Sequence, residues 1–257
     1  MNVILFKHQK EHEHIKQNTR KIKKWYKEIY YFKKQINVHE HINKKIRKRG
    51  IWIMKFGALY SYWGHEWKCD YIETAKRMHA CGCEVLEVGA PHLLEMTDDQ
   101  LKELKTTCDE LEMEITSNIG PSKEYDLASE DPAVRANGVK YLTDILRAMK
   151  KIGSKSLVGA MYSYWPCKDF KYDDKEGAWE RSIQGMKEVA KVAEELDIEC
   201  CLEVLNRFET YIMTSCEEAV EYCKRVGSKN VNILLDTFHM NIEEDNLPDA
   251  IRKAGPL

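Results

Sequence analysis

The sequence predicts an α/β fold, a (β/α)8 TIM barrel shortened to about six βα units, on three observations. From Phe56 onward, apolar strand-like runs alternate with amphipathic helical stretches at intervals of about 28 to 42 residues, the rhythm of a parallel sheet. Two of these runs end in a burst of polar residues: IECCLEV opens into Glu203, Asn206, Arg207 and Glu209, and VNILLDTFHMN delivers Asp236 and His239. Ligands bind beyond the carboxyl ends of strands in such folds. Finally, neither GxGxxG nor GxxxxGK(S/T) follows any strand, which removes the main support for an open nucleotide-binding sheet.

Strands are expected at FGALYSYW from Phe56, EVLEVGA from Glu84, EITSNIG from Glu114 and SLVGAMYSYW from Ser156. IECCLEVLN from Ile198 and VNILLDTFH from Val231 complete the set. The helices between them carry start signals. Thr97 to Gln100 reads as a capping box ahead of Leu101, Leu104, Cys108 and Leu111. Asp131-Pro132 pairs a cap with a first-turn proline before Leu142, Ile145, Leu146 and Met149. Ser215 to Glu218 reads as a second capping box, and Trp179, Ile183, Met186, Ala190 and Ala193 line one face of a longer helix. Six units fit in residues 54–257, whereas a complete barrel has eight and typically about 250 residues.

Charge divides the chain in two. Residues 1–53 carry 15 Lys or Arg against 4 Asp or Glu, while residues 54–257 carry 25 against 38. Within the first segment Ile22, Trp25, Tyr26, Ile29 and Tyr30 recur at helical spacing among lysines, the pattern of a basic amphipathic helix. Lys, Ile, Asn, Tyr and Phe nevertheless make up 30 of its 53 residues, the bias of translated AT-rich DNA, and Met54 stands directly before the first strand. The expected organisation is a basic helical or disordered extension over 1–53, read as a misassigned start or dispensable tail, and a partial barrel over 54–257. The nine cysteines follow no disulfide or zinc spacing and suit a reducing, cytoplasmic setting. No apolar run approaches the length of a membrane span.

Carboxylates and an imidazole at a barrel mouth suit a hard divalent cation such as Mg²⁺ or Mn²⁺. Such an ion stabilises charge that develops when a proton leaves a carbon beside a carbonyl, and a neighbouring carboxylate serves as the base. Aromatic residues at the ends of the first and fourth strands (Tyr60, Tyr62, Trp63, Trp67; Tyr162, Tyr164, Trp165) suit the apolar faces of a sugar.

FGALYSYWGHEW, GAMYSYWP, CLEVLNRFE and LLDTFHMNIEED together resemble the D-psicose (D-allulose) 3-epimerase and D-tagatose 3-epimerase family, within the xylose-isomerase-like TIM barrels. The resemblance runs from Met54 to the C-terminus. It implies that Glu203 is both a metal ligand and one of two acid/base carboxylates, and that Asp236 is a second metal ligand. It also implies that Glu209 and His239 hold the carbonyl end and nearby hydroxyls of the sugar, with Tyr60, Trp67 and Trp165 as pocket aromatics. The implied reaction is inversion at C3 of a free ketohexose, D-fructose to D-psicose or D-tagatose to D-sorbose, through a cis-enediolate. The implied cofactor is Mn²⁺, with Co²⁺ or Mg²⁺ as substitutes, and the complete form is expected to be a homo-oligomer without nucleic-acid or membrane partners.

The chain departs from that pattern at its end. The family completes its metal shell with a His on strand 7 and a Glu on strand 8, the latter being the second acid/base, and adds a substrate-binding Arg. All three would fall beyond Leu257, so the chain as it stands is expected to have little epimerase activity. Two other classes compete: a non-catalytic barrel fragment, and a metal-dependent DNA-repair endonuclease of similar fold with the basic tail on phosphates. The acidity of residues 54–257 and the aromatic mouth weigh against the endonuclease.

Overall fold

The computed structural model describes residues 55–64, 68–255 and 257; the basic segment 1–53, Met54 and Trp67 lie outside the described residues. Six strands, β1 (Gly57–Leu59), β2 (Val85–Gly89), β3 (Glu114–Ile119), β4 (Ser156–Gly159), β5 (Glu199–Glu203) and β6 (Val231–Leu234), form one sheet. They are paired in sequence order and parallel throughout. A doubly wound sheet reverses its strand order at a switch point. Here the winding never reverses, which is the topology of a barrel wall.

Among the described residues, eight α-helices connect and cover the strands: α1 (Tyr71–Ala80), α2 (Ala90–Leu93), α3 (Asp98–Glu110), α4 (Pro132–Ile152), α5 (Lys175–Leu196), α6 (Cys216–Val226), α7 (Thr237–Glu243) and α8 (Leu247–Ala254). Their starts follow local chemistry. Thr97 Oγ1 accepts from the Gln100 N–H at 3.3 Å while the Gln100 side chain accepts from the Thr97 N–H at 2.8 Å, the reciprocal box expected at α3. Asp131 caps α4 by accepting from the Ala133 N–H at 2.8 Å, with Pro132 in the first turn. At α6 only half of the expected box forms: Ser215 accepts from the Glu218 N–H, but the Glu218 carboxylate accepts from the Thr214 N–H at 2.8 Å and meets Lys175 at 2.5 Å. The carboxylate is shared between Thr214, one residue before the cap, and a lysine from the preceding helix.

Alternation along the strands separates two faces. Leu86 and Val88, Ile115 and Ser117, Leu157, and Cys200 and Leu202 are fully buried, and the apolar ones join the core with Leu142, Ile145 and Met149 of α4 and Ile183, Met186 and Ala190 of α5. Each such Leu, Ile or Met side chain contributes roughly 1.5–3 kcal/mol by burial. The alternate positions, among them Glu87, Thr116, Asn118, Cys201 and Glu203, are only half-buried on the other face. Polar groups that would be costly among the helices are thereby collected inside the barrel wall.

The first and fourth strands are shorter than their aromatic runs suggest. The chain leaves β1 into a 3₁₀ turn at Tyr60–Trp63, and β4 ends at Gly159 before AMYSYW. β6 likewise stops at Leu234, and Asp236 is the cap of α7, accepting from the Phe238 N–H at 2.6 Å. All nine cysteines are free thiols. Among the described residues no helix is long and apolar enough to cross a membrane.

Candidate active site

Glu203 is the last residue of β5, in register with Leu234 of β6, so Asp236 emerges two residues beyond the same level. One turn into α7, His239 is buried and swings back toward β5. One ligand atom from each of Glu203, Asp236 and His239 lies within 4.8 Å of the others. His239 Nε2 stands 3.6 Å from Glu203 Oε1.

Glu203 is the electrostatic centre of the mouth. Its side chain is 24% exposed, and burial pushes its carboxyl up to about 7, with further upward pressure from the negative charges of Asp236, Glu87 and Glu209. Among the described residues, no Lys or Arg ion pair reaches Glu203 or Asp236. Glu87 on β2 faces the same space. Burial raises its carboxyl too, partly offset by hydrogen bonds, including that donated by Asn118 Nδ2 at 3.0 Å. A carboxylate cluster without a matching cation holds more negative charge than a packed protein ordinarily tolerates.

Glu209 is held differently. Trp165 Nε1 donates to its Oε2 at 2.8 Å, and Asn206 Nδ2 donates to its Oε1 at 2.8 Å. Its backbone carbonyl also accepts from the Cys167 N–H at 2.8 Å, tying the loop after β5 to the loop after β4. Trp165 is itself anchored by its N–H to the Pro121 carbonyl at 2.7 Å. Its ring lies so close to Gly120 that a Cβ there would come within 2.7 Å of Trp165 Cε3. Glycine is what allows the indole to lie across the end of β3.

Trp165 and Tyr60 then line one cleft of about 250 Å³ at the ends of β1 to β3, together with Gly89, His92, Asn118 and Gly120. Tyr60 is buried and packs edge-on against Tyr71, with ring centroids 5.5 Å apart. Five of the anticipated residues (Glu203, Asp236, His239, Glu209, Trp165) thus meet in one constellation, and Tyr60 joins through the adjoining cleft. Trp67 lies outside the described residues.

Other aromatics go elsewhere. Tyr162 is fully buried: its hydroxyl donates to the Glu203 carbonyl at 2.9 Å, and its own carbonyl accepts from Ser182 at 2.5 Å. It is a pillar under the site, while Tyr62 points into solvent at 53% exposure. Arg207, prominent in the sequence, forks onto Glu243 of α7 at 2.7–3.0 Å and braces the loop from outside. Two site residues were given no role by the sequence reading. Glu87 is the lone charge inside the apolar run VLEVG, a signal that was present. Asn206 is 2% exposed and contacts Glu209 three residues on and His239 across 33 residues, a separation that no local pattern reveals.

Comparison with known proteins identifies the family of this fold. The family model of the xylose isomerase-like TIM barrels matches residues 72–256. The D-psicose 3-epimerase of Ruminiclostridium cellulolyticum is 44% identical over 202 residues, covering 79% of this chain and 69% of that protein. The D-psicose 3-epimerase of Agrobacterium fabrum is 41% identical over 204 residues, covering 79% and 71%. Among solved structures, D-psicose 3-epimerase with D-tagatose from Clostridium cellulolyticum superposes with a TM-score of 0.76 at 44% identity, over 79% of this chain and 70% of that one. A D-psicose 3-epimerase in the presence of D-fructose gives 0.77 at 41% identity, over 79% and 71%. With its unreversed parallel wall, its carboxylate mouth and this similarity, the chain belongs to the D-psicose 3-epimerase family of isomerases, within the xylose isomerase-like TIM barrels.

Proposed function

We propose that this chain is a metal-dependent ketose 3-epimerase acting on free ketohexoses, with D-fructose and D-psicose as the first pair to test and D-tagatose and D-sorbose as the second. The observation that carries the reading is Glu203. It is a carboxylate that burial pushes toward neutral pH, at a strand end beside Asp236, with Glu209, the partner of the cleft-lining Trp165, as a further neighbour. A base poised near the working pH is what proton abstraction beside a carbonyl requires.

The donor set fits a divalent ion. Glu203 and Asp236 supply hard oxygen donors close together, and their mutual repulsion is relieved by a cation. Mn²⁺ is the proposed metal, with Co²⁺ or Mg²⁺ as substitutes. When bound, the ion stabilises negative charge that develops on the sugar as its C3 proton leaves. Glu203 takes or returns that proton on one face of C3, passing the sugar through a cis-enediolate. Inversion needs the same exchange on the opposite face, the role that the family resemblance gives to a second carboxylate on a strand after β6. Glu209, held by Trp165 and Asn206, accepts from sugar hydroxyls, and the His239 N–H donates to an oxygen at the carbonyl end. Tyr60 and Trp165 pack on the apolar faces of the sugar and exclude water, and Trp67 is assigned the same role from the family resemblance.

The free thiols suit a reducing, cytoplasmic location, and assembly is proposed to be homo-oligomeric, with neither nucleic acid nor membrane as partner. The test is to incubate the purified chain with Mn²⁺, Co²⁺ or Mg²⁺ and D-fructose, and to follow D-psicose by chromatography. Little turnover is expected of residues 1–257 alone, whereas a version extended by two further βα units should form psicose in a metal-dependent reaction that disappears in Glu203→Gln. Sugar and metal binding without turnover would instead define a ketose-binding barrel, and retention of DNA in a salt-dependent manner would favour the endonuclease alternative.

A further inference from the structure

We infer that Asn206 is a positioning residue that decides the role of His239, making the imidazole a hydrogen-bond donor to substrate and withholding it from the metal. This rests on the proposed reading of the mouth, where Glu203, Asp236 and His239 all lie close enough to share one ion.

The hydrogen bonds around Asn206 determine the ring's protonation pattern. The Asn206 backbone N–H donates to His239 Nδ1 at 3.2 Å. The side-chain amide is oriented by its own oxygen, which accepts from the Phe208 N–H at 2.9 Å. Its nitrogen consequently faces inward, 2.8 Å from Glu209 Oε1 and 2.7 Å from His239 Nδ1, with one hydrogen for each. Nδ1 therefore meets two N–H groups, and one of them belongs to the backbone and cannot be reversed by flipping an amide. A neutral imidazole carries one proton, and a proton on Nδ1 would oppose both donors. The proton sits on Nε2.

That placement has a chemical consequence. A neutral histidine binding a metal through Nε2 needs its proton on Nδ1, usually offered to an acceptor such as a carbonyl or carboxylate. Here the second partner is a donor pair. The Nε2–H points instead into the mouth, and at 3.6 Å from Glu203 Oε1 it is too far for a normal hydrogen bond to that group. It is left with capacity for an oxygen arriving between them. The same amide orients Glu209, so one buried side chain aligns a donor and an acceptor along one edge of the mouth.

The test is ¹⁵N NMR of the full chain with labelled histidine, the His239 ring assigned by its loss in His239→Gln. The expected wild-type spectrum has a bare Nδ1 and a protonated Nε2, unchanged when Mg²⁺ is added. A proton on Nδ1, or loss of the Nε2 proton on Mg²⁺ addition, overturns the inference. Asn206→Asp keeps the shape but replaces the inward donor by an acceptor, so its His239 should move toward the Nδ1–H form. On D-fructose its kcat should fall by about tenfold or more, with KM changed far less. A His239 unmoved from the Nε2–H form in a folded Asn206→Asp would show that the side chain does not set the tautomer. The spectrum is independent of turnover. A version extended by two further βα units that shows the expected tautomer but no epimerase activity would sink the functional reading and leave the assignment of Asn206 standing.

Discussion

The outer helical layer and the barrel mouth use the same carboxylates in opposite ways. On the helices, charges come matched: Asp144 lies between Lys140 at 2.6 Å and Arg147 at 3.0 Å, Lys191 meets Glu188 at 2.7 Å, and Arg225 bridges Glu176 and Glu180 at 2.9 Å each. These pairs are exposed or half-exposed and contribute little individually. At the mouth, Glu203 faces Asp236, Glu87 and Glu209, all of its own sign. The outer arrangement favours solubility, whereas the inner one opposes folding, which fits the cation and substrate proposed for the mouth.

The linkage can be given a sign and a size. Glu203 titrates at about 7 in the folded chain against about 4.3 for an unperturbed glutamate. The folded state therefore binds the proton more tightly. Below about pH 4 the group costs nothing, and stability is lost as pH rises through the interval up to about 7. The shift corresponds to a penalty on the order of 3 kcal/mol above pH 7, in the absence of metal.

The most severe way to break the contrast is Glu203→Gln. In a form extended by two further βα units, loss of the base should reduce epimerisation by roughly 10²–10⁴-fold. The same change should raise the melting temperature of the metal-free protein at pH 8 and leave it almost unaffected at pH 4. A lower melting temperature at pH 8 would mean that the mouth is not strained. Asp236→Asn comes next. Its side-chain oxygen can still accept from the Phe238 N–H and cap α7, so the helix should persist while Mn²⁺ binding, followed by calorimetry, weakens by more than about tenfold.

Trp165→Phe sharpens the comparison at smaller amplitude. The ring still fits against Gly120, but the donor to Glu209 is gone, and a hydrogen bond to a charged group contributes about 1.5–3 kcal/mol. A fall of roughly 10–100-fold in kcat/KM is expected, accompanied by a drop of several degrees in melting temperature because the same bond also holds the folded mouth together. On the outer layer, Lys140→Ala should alter stability by no more than about 0.5 kcal/mol and leave turnover alone. A loss of activity there would show that the two regions are coupled.

What the sequence determined by itself is whatever depends on neighbours a few residues apart. The βα alternation, the reciprocal cap at Thr97, the proline start after Asp131 and the apolar face of α5 from Trp179 to Ala193 are all local, and all were legible. So was the appearance of Glu203 and Asp236 beyond apolar runs, and LEVLNRFE and LLDTFHMNIEED carried the family. The tertiary structure decided the rest. Glu87 joins the mouth because β2 and β5 wrap toward one space, and Tyr162 leaves it because the chain turns out of β4 at Gly159. Half of the Ser215 box is missing because its glutamate is shared between Thr214 and a lysine 43 residues away. Asn206 and His239 are 33 residues apart, yet two hydrogen bonds between them choose where one proton resides. Periodicity and capping report the backbone's local preferences, but a tautomer depends on which donor the folded chain brings to a ring nitrogen.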